Sequence, residues 1–167
     1  TRAYLAAVSH TDAMVGAVLS TLASSVHAAN TDIILWSDHG FHLGEKFHWR
    51  KSTFWEPAVK VPMLISSPGN SDYPVGDVND VVSLLDLAPT VLDLLELSPY
   101  SGFEGAPLHD AVNRSPVRVY LEGGRATILN GMKSIDYDLA APGVEHRSRY
   151  DLATDPQELV RIVPTGC

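Results

Sequence analysis

The feature that most constrains this sequence is an uninterrupted apolar run, Ile33-Ile34-Leu35, followed closely by the polar segment Ser37-Asp38-His39-Gly40. A short apolar run without polar alternation is typical of a parallel β-strand that is covered on both faces. Polar groups directly after such a strand lie at its carboxyl end, where open α/β sheets bind their ligands. The sequence therefore predicts a strand over residues 32–36 with Asp38 and His39 in a candidate site.

Helical periodicity precedes this strand and returns later in the chain. Apolar residues recur at intervals of three, four and seven between Leu5 and Leu22, which predicts a helix over residues 2–24 with one buried face. A second apolar strand is predicted over residues 61–65. Helical spacing over residues 84–97 predicts a further helix, with Asp86 as its cap.

The pattern of apolar segments in the sequence changes after residue 114. Short segments at 117–121, 126–129 and 132–137, separated by glycine pairs and polar turns, predict a small antiparallel sheet. A cap residue, a proline and acidic residues at 155–158 predict a terminal helix. We therefore expect an α/β fold with a partial α/β/α layered sheet in residues 1–114, followed by a small antiparallel subdomain with a terminal helix in residues 115–167.

Residues 41–60 mix charged and aromatic residues without a clean period, which predicts a long loop that leads into a short helix near 53–58. Lys51 would then lie at the start of this helix, where a cation beside helix-start amides can bind an anion. The alternative is a solvated surface lysine. His42 and His48 are interpreted mainly as solvated loop residues, with a lesser possibility that they line the mouth of the site. The aromatic residues of the segment are interpreted as packing side chains beneath the site: Trp49, Phe54 and Trp55.

Asp38 and His39 are adjacent, so joint ligation of one metal ion requires the chain to turn, and Gly40 permits a turn. A carboxylate is a hard donor suited to Ca²⁺ or Mg²⁺, whereas an imidazole shifts the preference toward Zn²⁺ or Mn²⁺. The alternative role of His39, which suits it better, is to donate a hydrogen bond to a leaving oxygen. The alternative is that Asp38 caps the following turn and His39 is an ordinary, partly buried histidine.

The charge of the chain limits its partners. Twelve Lys and Arg against twenty Asp and Glu give a formal net charge of -8, which repels phosphate backbones and anionic lipid surfaces, so nucleic acid is not expected as a partner. An acidic chain that binds an anionic ester needs a local positive centre, and a divalent cation is the usual one. No window approaches the run of about 20 apolar residues that a spanning helix needs, so no membrane span is expected.

Several segments resemble the sulfatase family of the alkaline-phosphatase superfamily. Trp36–Glu45 is similar to the family's second metal-binding motif, and Trp49-Arg50-Lys51 with the strand after it resembles its Trp-x-Lys segment. Three further segments resemble family motifs in the same order along the chain: Tyr4–Leu22, Ser83–Leu97 and Tyr150–Glu158. The likeness is nearest to iduronate-2-sulfatase-like and choline-sulfatase-like enzymes.

This resemblance implies a role for each site residue. Asp38 and His39 would be metal ligands, with Ca²⁺ as the expected ion and Mg²⁺ as the alternative, and Lys51 and His39 would be the catalytic residues, Lys51 by contacting the sulfate. The implied substrate is a sulfate ester of a sugar or a small molecule. The implied compartment is periplasmic, extracellular or lysosomal, although the 167 residues themselves do not indicate a compartment.

The chain also departs from the family pattern. Sulfatases use a formylglycine made within a Cys/Ser-x-Pro-x-Arg motif, and neither this motif nor the family's early pair of aspartates occurs among the 167 residues. The only cysteine, Cys167, is the final residue and cannot be the precursor. We therefore expect the carboxy-terminal part of a sulfatase, inactive by itself, whose partner is the missing amino-terminal half of the catalytic domain.

Two other functions remain open at this point. A phosphodiesterase or phosphonate monoester hydrolase of the same superfamily would use a similar Asp-His-Gly segment for its metal. A non-catalytic binding module derived from a sulfatase would keep the surface without the nucleophile. The Trp-x-Lys setting of Lys51 favours sulfate.

Overall fold

The computed structural model describes residues 1–73, 75–110, 116–138 and 147–162. The chain divides into two compact units, which we call the helix unit (Thr1–Leu35 and Met63–Pro74) and the sheet unit (Trp36–Pro62 and Val75–Cys167). The boundary predicted between residues 114 and 115 falls at positions outside the described residues and stays a prediction.

The first part of the chain contains both helices and strands, and four strands follow. The elements are α1 (Arg2–Ala23), β1 (Ile33–Trp36), β2 (His42–Leu43), β3 (Trp49–Arg50), α2 (Glu56–Val59), β4 (Met63–Ser66), α3 (Leu87–Leu94), β5 (Val117–Leu121), β6 (Gly124–Leu129), β7 (Met132–Tyr137) and β8 (Arg147–Asp151). Short 3₁₀ turns occur at Ala28–Asn30, Glu45–Phe47, Leu84–Asp86 and Leu108–Asp110.

The first helix confirms the periodicity of the sequence, because α1 covers nearly the whole of the predicted span. Its apolar face is not covered: no residue of α1 is buried, and Val8 and Val18 are 51% and 68% exposed. The expectation of a buried face is therefore wrong for the chain by itself. By length and composition alone α1 could also cross a membrane. Core helices of globular domains meet the same two criteria, so the absence of a membrane span stays a prediction.

Strands β1 and β4 confirm the two predicted apolar strands and pair with each other. Leu35 and Trp36 are nevertheless 44% and 50% exposed. Consecutive side chains of a strand point to opposite faces, so the expectation that β1 is covered on both faces is wrong within the described residues.

Helix α3 begins where the sequence predicts, with Asp86 as its N-cap residue. The 3₁₀ turn before it has a capping box, in which Ser83 Oγ accepts from the Leu85 amide at 3.2 Å and the Asp86 carboxylate accepts from the Ser83 amide at 2.6 Å. The helix ends at Leu94, three residues earlier than predicted.

Strands β5 to β8 form one antiparallel sheet in sequence order. Side chains alternate along each strand, so that Ala126, Ile135 and Tyr150 face inward and are buried together with Phe54. Strands β6 and β7 are joined by the two-residue turn 130–131, in which both residues have positive φ, as a type I′ hairpin turn requires. The predicted antiparallel sheet is confirmed, and β8 is an additional strand.

The predicted terminal helix is wrong within the described residues, since residues 152–162 form turns and bends. The Asp155 carboxylate accepts from the Val160 amide at 2.7 Å, and such contacts with nearby amides hold the pKa of Asp155 below its usual value. Glu158 has a φ of 55°, and its side chain is buried. Burial of this carboxylate outweighs the helix-start signal of the preceding residues.

Candidate active site

The structure brings together the three residues that the sequence singled out. Lys51 Nζ lies 2.8 Å from His39 Nε2, and His39 Nε2 lies 3.5 Å from the nearer carboxylate oxygen of Asp38. Lys51 and Asp38 are exposed, and His39 is half-buried. A carboxylate, an imidazole and an ammonium group therefore share one accessible surface in the sheet unit.

A small hairpin positions Lys51. Strands β2 and β3 pair antiparallel, with His42 opposite Arg50 and Leu43 opposite Trp49, inside the segment predicted to be a loop. The Glu45 carboxylate accepts from the Leu43 amide at 2.6 Å, and this hydrogen bond holds the pKa of Glu45 below its usual value.

Lys51 does not lie at the start of a helix, so this prediction is wrong. Helix α2 begins at Glu56, five positions later, and has only four residues. The amides at the start of α2 therefore do not provide the anion cradle that the sequence suggested beside Lys51. The ammonium group is instead placed by the end of β3 and by its contact with His39.

Gly40 fixes the position of Asp38 and His39 relative to α2. Its amide donates to the Ala58 carbonyl oxygen at 2.8 Å, and a Cβ atom at Gly40 would overlap the carbonyl oxygen of Pro57. Its φ is not in the left-handed region. Glycine is required here by this close backbone approach, whereas the sequence suggested that it was required by a turn.

The backbone that carries Lys51 is strained. Four non-glycine residues between positions 46 and 52 have positive φ: Lys46 (53°), Phe47 (56°), Arg50 (76°) and Ser52 (69°). Conformations of this kind cost on the order of 1–3 kcal/mol each and persist only where surrounding contacts hold them. The loop around Lys51 therefore depends on contacts outside its own backbone.

His42 supplies one set of these contacts. It is fully buried, its Nε2 lies 2.8 Å from Thr53 Oγ1, and its Nδ1 lies 3.2 Å from the Glu45 carbonyl oxygen. The His48 ring packs against it edge-on at 5.0 Å between centroids. Its interpretation as a solvated residue is wrong, because hydrogen bonds to both ends of the loop satisfy the buried imidazole.

Two of the three aromatic residues on either side of Lys51 pack as predicted. Phe54 is 6% exposed and belongs to the core of the sheet unit, and the Trp55 ring packs edge-on against the Tyr150 ring at 5.2 Å. Trp49 is instead 54% exposed, so the packing interpretation is wrong for this residue.

A buried ion cluster that sequence reasoning missed lies under the same loop. Lys133 is fully buried on the inner face of β7, and its Nζ lies 2.9 Å from a Glu56 carboxylate oxygen and 2.8 Å from a Glu158 carboxylate oxygen. The other Glu158 oxygen accepts from the Glu56 amide at 2.8 Å. The available signal was strand alternation, since Lys133 stands two positions from Ile135 and therefore on the same face.

The donors near Lys51 fit a hard cation in part. The Asp38 side chain is 81% exposed, and one of its oxygens accepts from the His39 amide at 3.0 Å, which leaves lone pairs available. His39 Nδ1 lies 2.8 Å from the Gly40 carbonyl oxygen, which can only accept, so Nε2 is assigned as the acceptor for Lys51. Among the described residues there is no group of three or more His, Cys, Asp or Glu side chains that could hold a metal ion.

The profile of the family described as Sulfatase matches residues 1–97. A sulfatase of Formosa agariphila is 35% identical over 95% of this chain, a choline-sulfatase of Rhizobium meliloti is 31% identical over 96%, and an iduronate 2-sulfatase of Mus musculus is 34% identical over 95%. The chain covers 31%, 32% and 30% of these relatives, so it spans about a third of their length.

Solved structures share the fold. A protein solved in complex with its substrate D-glucosamine-2-N,6-O-disulfate matches 97% of this chain and 36% of its own with a TM-score of 0.76 at 24% identity. A phosphonate monoester hydrolase of Agrobacterium radiobacter matches 95% of this chain and 36% of its own with a TM-score of 0.75 at 21% identity. The predicted mixed α/β fold with a small antiparallel sheet is confirmed by this likeness, apart from the terminal helix.

Proposed function

This chain belongs to the sulfatase family, and from that premise we propose that Asp38, His39 and Lys51 form the sulfate-binding part of a sulfuric ester hydrolase site. The observation that carries the proposal is the 2.8 Å contact between Lys51 Nζ and His39 Nε2, with the Asp38 carboxylate beside it. Three groups with complementary charge and hydrogen-bonding capacity meet there on an acidic chain that otherwise repels anions.

Lys51 would hold the sulfate group. Its ammonium group is exposed and has three donors, of which His39 Nε2 engages one. The remaining donors can bind sulfate oxygens, and the contact with His39 restricts the side chain before substrate arrives. The leaving oxygen also needs a proton donor. His39 would fill this role only with Nε2 protonated, a state in which Nε2 no longer accepts from Lys51, and otherwise a residue elsewhere in the protein would protonate the leaving oxygen.

Asp38 would hold a divalent cation, and Ca²⁺ suits its exposed carboxylate best, with Mg²⁺ as the alternative. His39 stays a predicted second ligand, and it would have to release Lys51 in order to bind metal through Nε2. When bound, the ion would neutralise charge on the sulfate. The remaining ligands would come from residues other than the described ones.

The nucleophile would also come from elsewhere. No Cys/Ser-x-Pro-x-Arg motif, the source of formylglycine in the family, occurs among the 167 residues. We propose that the amino-terminal part of a sulfatase catalytic domain supplies both the nucleophile and the missing ligands. The exposed apolar residues of α1 offer a surface for it, and the chain as given is then expected to be inactive.

Aryl sulfate hydrolysis tests this proposal. The chain is assayed alone and after mixing or co-expression with the complementary amino-terminal portion of the Formosa agariphila sulfatase. We expect no turnover alone and turnover in the mixture that is lost in Asp38→Ala and in Lys51→Met. Lys60→Met is the matched control, because Lys60 is an exposed lysine at the end of α2. If the chain alone turned over substrate and Asp38→Ala abolished this activity, the expectation that the isolated chain is inactive would be contradicted.

A binding measurement distinguishes a functional sulfate-binding site from a surface that has lost its function. Titration calorimetry with a sulfated glucosamine, with and without Ca²⁺, is expected to show binding that Lys51→Met weakens about 10- to 100-fold, as loss of a charged hydrogen bond implies. Equal binding by wild type and Lys51→Met would remove Lys51 from the sulfate site. Binding by the chain that never leads to turnover in the mixture would favour a non-catalytic module.

The phosphoryl alternative is tested in the same assay. The likeness to a phosphonate monoester hydrolase, at 21% identity, concerns the fold alone and does not favour that reaction. If the mixture hydrolysed an aryl phosphonate faster than the matching aryl sulfate, phosphonate ester hydrolysis would be favoured over sulfate ester hydrolysis as the function.

A further inference from the structure

We propose that Glu158 is a positioning residue for Lys51, which it holds against His39 by fastening both flanks of the strained loop. The inference rests on the proposed function only for its consequence in sulfate binding. Its structural content depends on the described contacts of the sheet unit alone. Glu158 lies more than one hundred positions from Lys51 in the sequence, within the closing segment Tyr150–Glu158.

The first fastening is made by the Glu158 side chain. One carboxylate oxygen accepts from the Glu56 amide at 2.8 Å, and the other lies 2.8 Å from Lys133 Nζ. Lys133 in turn donates to the Glu56 carboxylate at 2.9 Å. Glu56 opens α2 and stands five positions after Lys51, so the carboxy-terminal flank of the loop is held to the inner face of the sheet.

The second fastening is made by the Glu158 backbone. Lys46 Nζ donates to the Glu158 carbonyl oxygen and lies 4.2 Å from the centroid of the Trp55 ring. Lys46 stands five positions before Lys51, so the amino-terminal flank is held by the same residue. A cation over an aromatic face strengthens this fastening.

Lys51 is midway between the two fastenings, and the backbone between them is strained. Arg50 and Ser52, its immediate neighbours, both have positive φ. Because such a backbone would relax if either flank were released, the 2.8 Å contact of Lys51 with His39 depends on anchors outside the loop.

The charges of the cluster explain why a carboxylate is suited to position 158. Two carboxylates, Glu56 and Glu158, surround one fully buried ammonium group, that of Lys133. Lys46 brings a second positive charge to the same residue from the outer side. The net charge of these four side chains is zero, which offsets part of the cost of burial.

The test uses NMR and hydrogen exchange on the whole chain. Glu158→Gln keeps the shape of the side chain and leaves Lys133 paired with Glu56. We expect loss of the nuclear Overhauser effect between the Lys51 and His39 side chains. Amide exchange over residues 47–52 is expected to be faster by about tenfold, as loss of a charged hydrogen bond implies, with exchange in β6 and β7 unchanged.

A second variant covers the case in which Glu158→Gln fails to fold. Lys46→Met removes only the hydrogen bond to the Glu158 carbonyl oxygen and leaves the buried cluster intact. It is expected to give the same loop signature, which is loss of the Lys51 to His39 signal together with faster exchange over residues 47–52. Lys46→Arg is expected to restore it, because a guanidinium can also donate to the carbonyl oxygen and stack on Trp55. Lys60→Met, the control for removal of a positive charge, is expected to leave both signals unchanged.

Two outcomes overturn the inference, and they differ from a failure of the proposed function. Retention of the Lys51 to His39 signal in both Glu158→Gln and Lys46→Met would show that the loop holds itself. Faster exchange throughout the sheet would show a general structural role. Inorganic sulfate that binds neither wild type nor variant, while the loop signature behaves as expected, would count against the sulfate site and leave the positioning role standing.

Discussion

The two units of the chain both contain regular secondary structure, but they differ in burial. The helix unit contains the longest element, α1, yet none of its described residues is buried. The sheet unit buries Ala126 and Ile135 completely and contains all three candidate site residues. Periodicity is sufficient to form an element, whereas a fixed site needs an element with a covered face. Four measurements test this difference between the units.

The largest expected effect is at the buried ammonium group of the sheet unit. Lys133→Met leaves the carboxylates of Glu56 and Glu158 without their shared partner, which is expected to lower the free energy of unfolding by about 3–5 kcal/mol. The measurement is urea unfolding followed by circular dichroism. Arg118→Met, at an exposed position of β5, is the matched control and is expected to change stability by less than about 0.5 kcal/mol. Similar losses in both variants would mean that the cluster does not stabilise the unit.

The second measurement compares one apolar truncation in each unit. Ile135→Ala removes a fully buried side chain and is expected to cost about 2–5 kcal/mol, because the truncation leaves a cavity. Val8→Ala removes a side chain that is 51% exposed, and its effect is expected to stay below about 0.5 kcal/mol. A large loss for Val8→Ala in the isolated chain would show that the α1 face is covered in solution, for instance by self-association.

The third measurement compares one glycine-to-alanine substitution in each unit. The two changes in stability are expected to have opposite signs. Gly40→Ala places a Cβ atom on the Pro57 carbonyl oxygen and is expected to destabilise the chain by about 1–3 kcal/mol. Gly16→Ala lies within α1 with no atom near the added methyl group, and the higher helix propensity of alanine is expected to stabilise the chain by about 0.5–1 kcal/mol. Thermal unfolding of the two variants gives both signs, and a tolerated Gly40→Ala would mean that the backbone approach at Pro57 relaxes easily.

The smallest expected effect is the pH dependence of the sheet. A hydrogen bond from Arg147, assisted by Arg125, holds the pKa of Asp136 below its usual value of 3.8. A carboxyl group whose pKa is lower in the folded state stabilises that state above the unfolded pKa, and this contribution is lost as the pH falls through the folded value. Urea unfolding at pH 7, 4 and 2.5 should therefore show a drop in stability below pH 4 that is smaller in Asp136→Asn. An identical drop in the variant would assign the pH dependence to other carboxylates.

Much of the fold was predictable because it depends on short-range patterns. The three- and four-residue spacing predicted α1, the apolar runs predicted β1 and β4, and Asp86 as a cap residue predicted the start of α3. These features need only neighbours in the sequence. Residue type and family resemblance were likewise sufficient to single out Asp38, His39 and Lys51, which the structure brings together.

The remainder was not predictable because it depends on distant partners. His42 is buried through hydrogen bonds to Glu45 and Thr53, whereas an isolated loop histidine is usually solvated. The helix-start pattern at residues 155–158 was overridden because Glu158 forms an ion pair with Lys133. This pairing cannot be predicted from the sequence around either residue alone. The metal and catalytic roles of the site residues stay predictions.

The tight turn between β6 and β7 has a consequence for the order in which the chain folds. A hairpin closed by two residues forms in about 1–10 μs, far sooner than contacts between distant segments. This hairpin carries Lys133, which has two carboxylate partners, and the more distant of them, Glu56, is 77 positions away in the sequence. We expect the ammonium group to remain hydrated until that partner arrives, so the sheet cannot dehydrate its inner face first. Stopped-flow refolding should then show Phe54 burial and formation of the loop around Lys51 in a single kinetic phase.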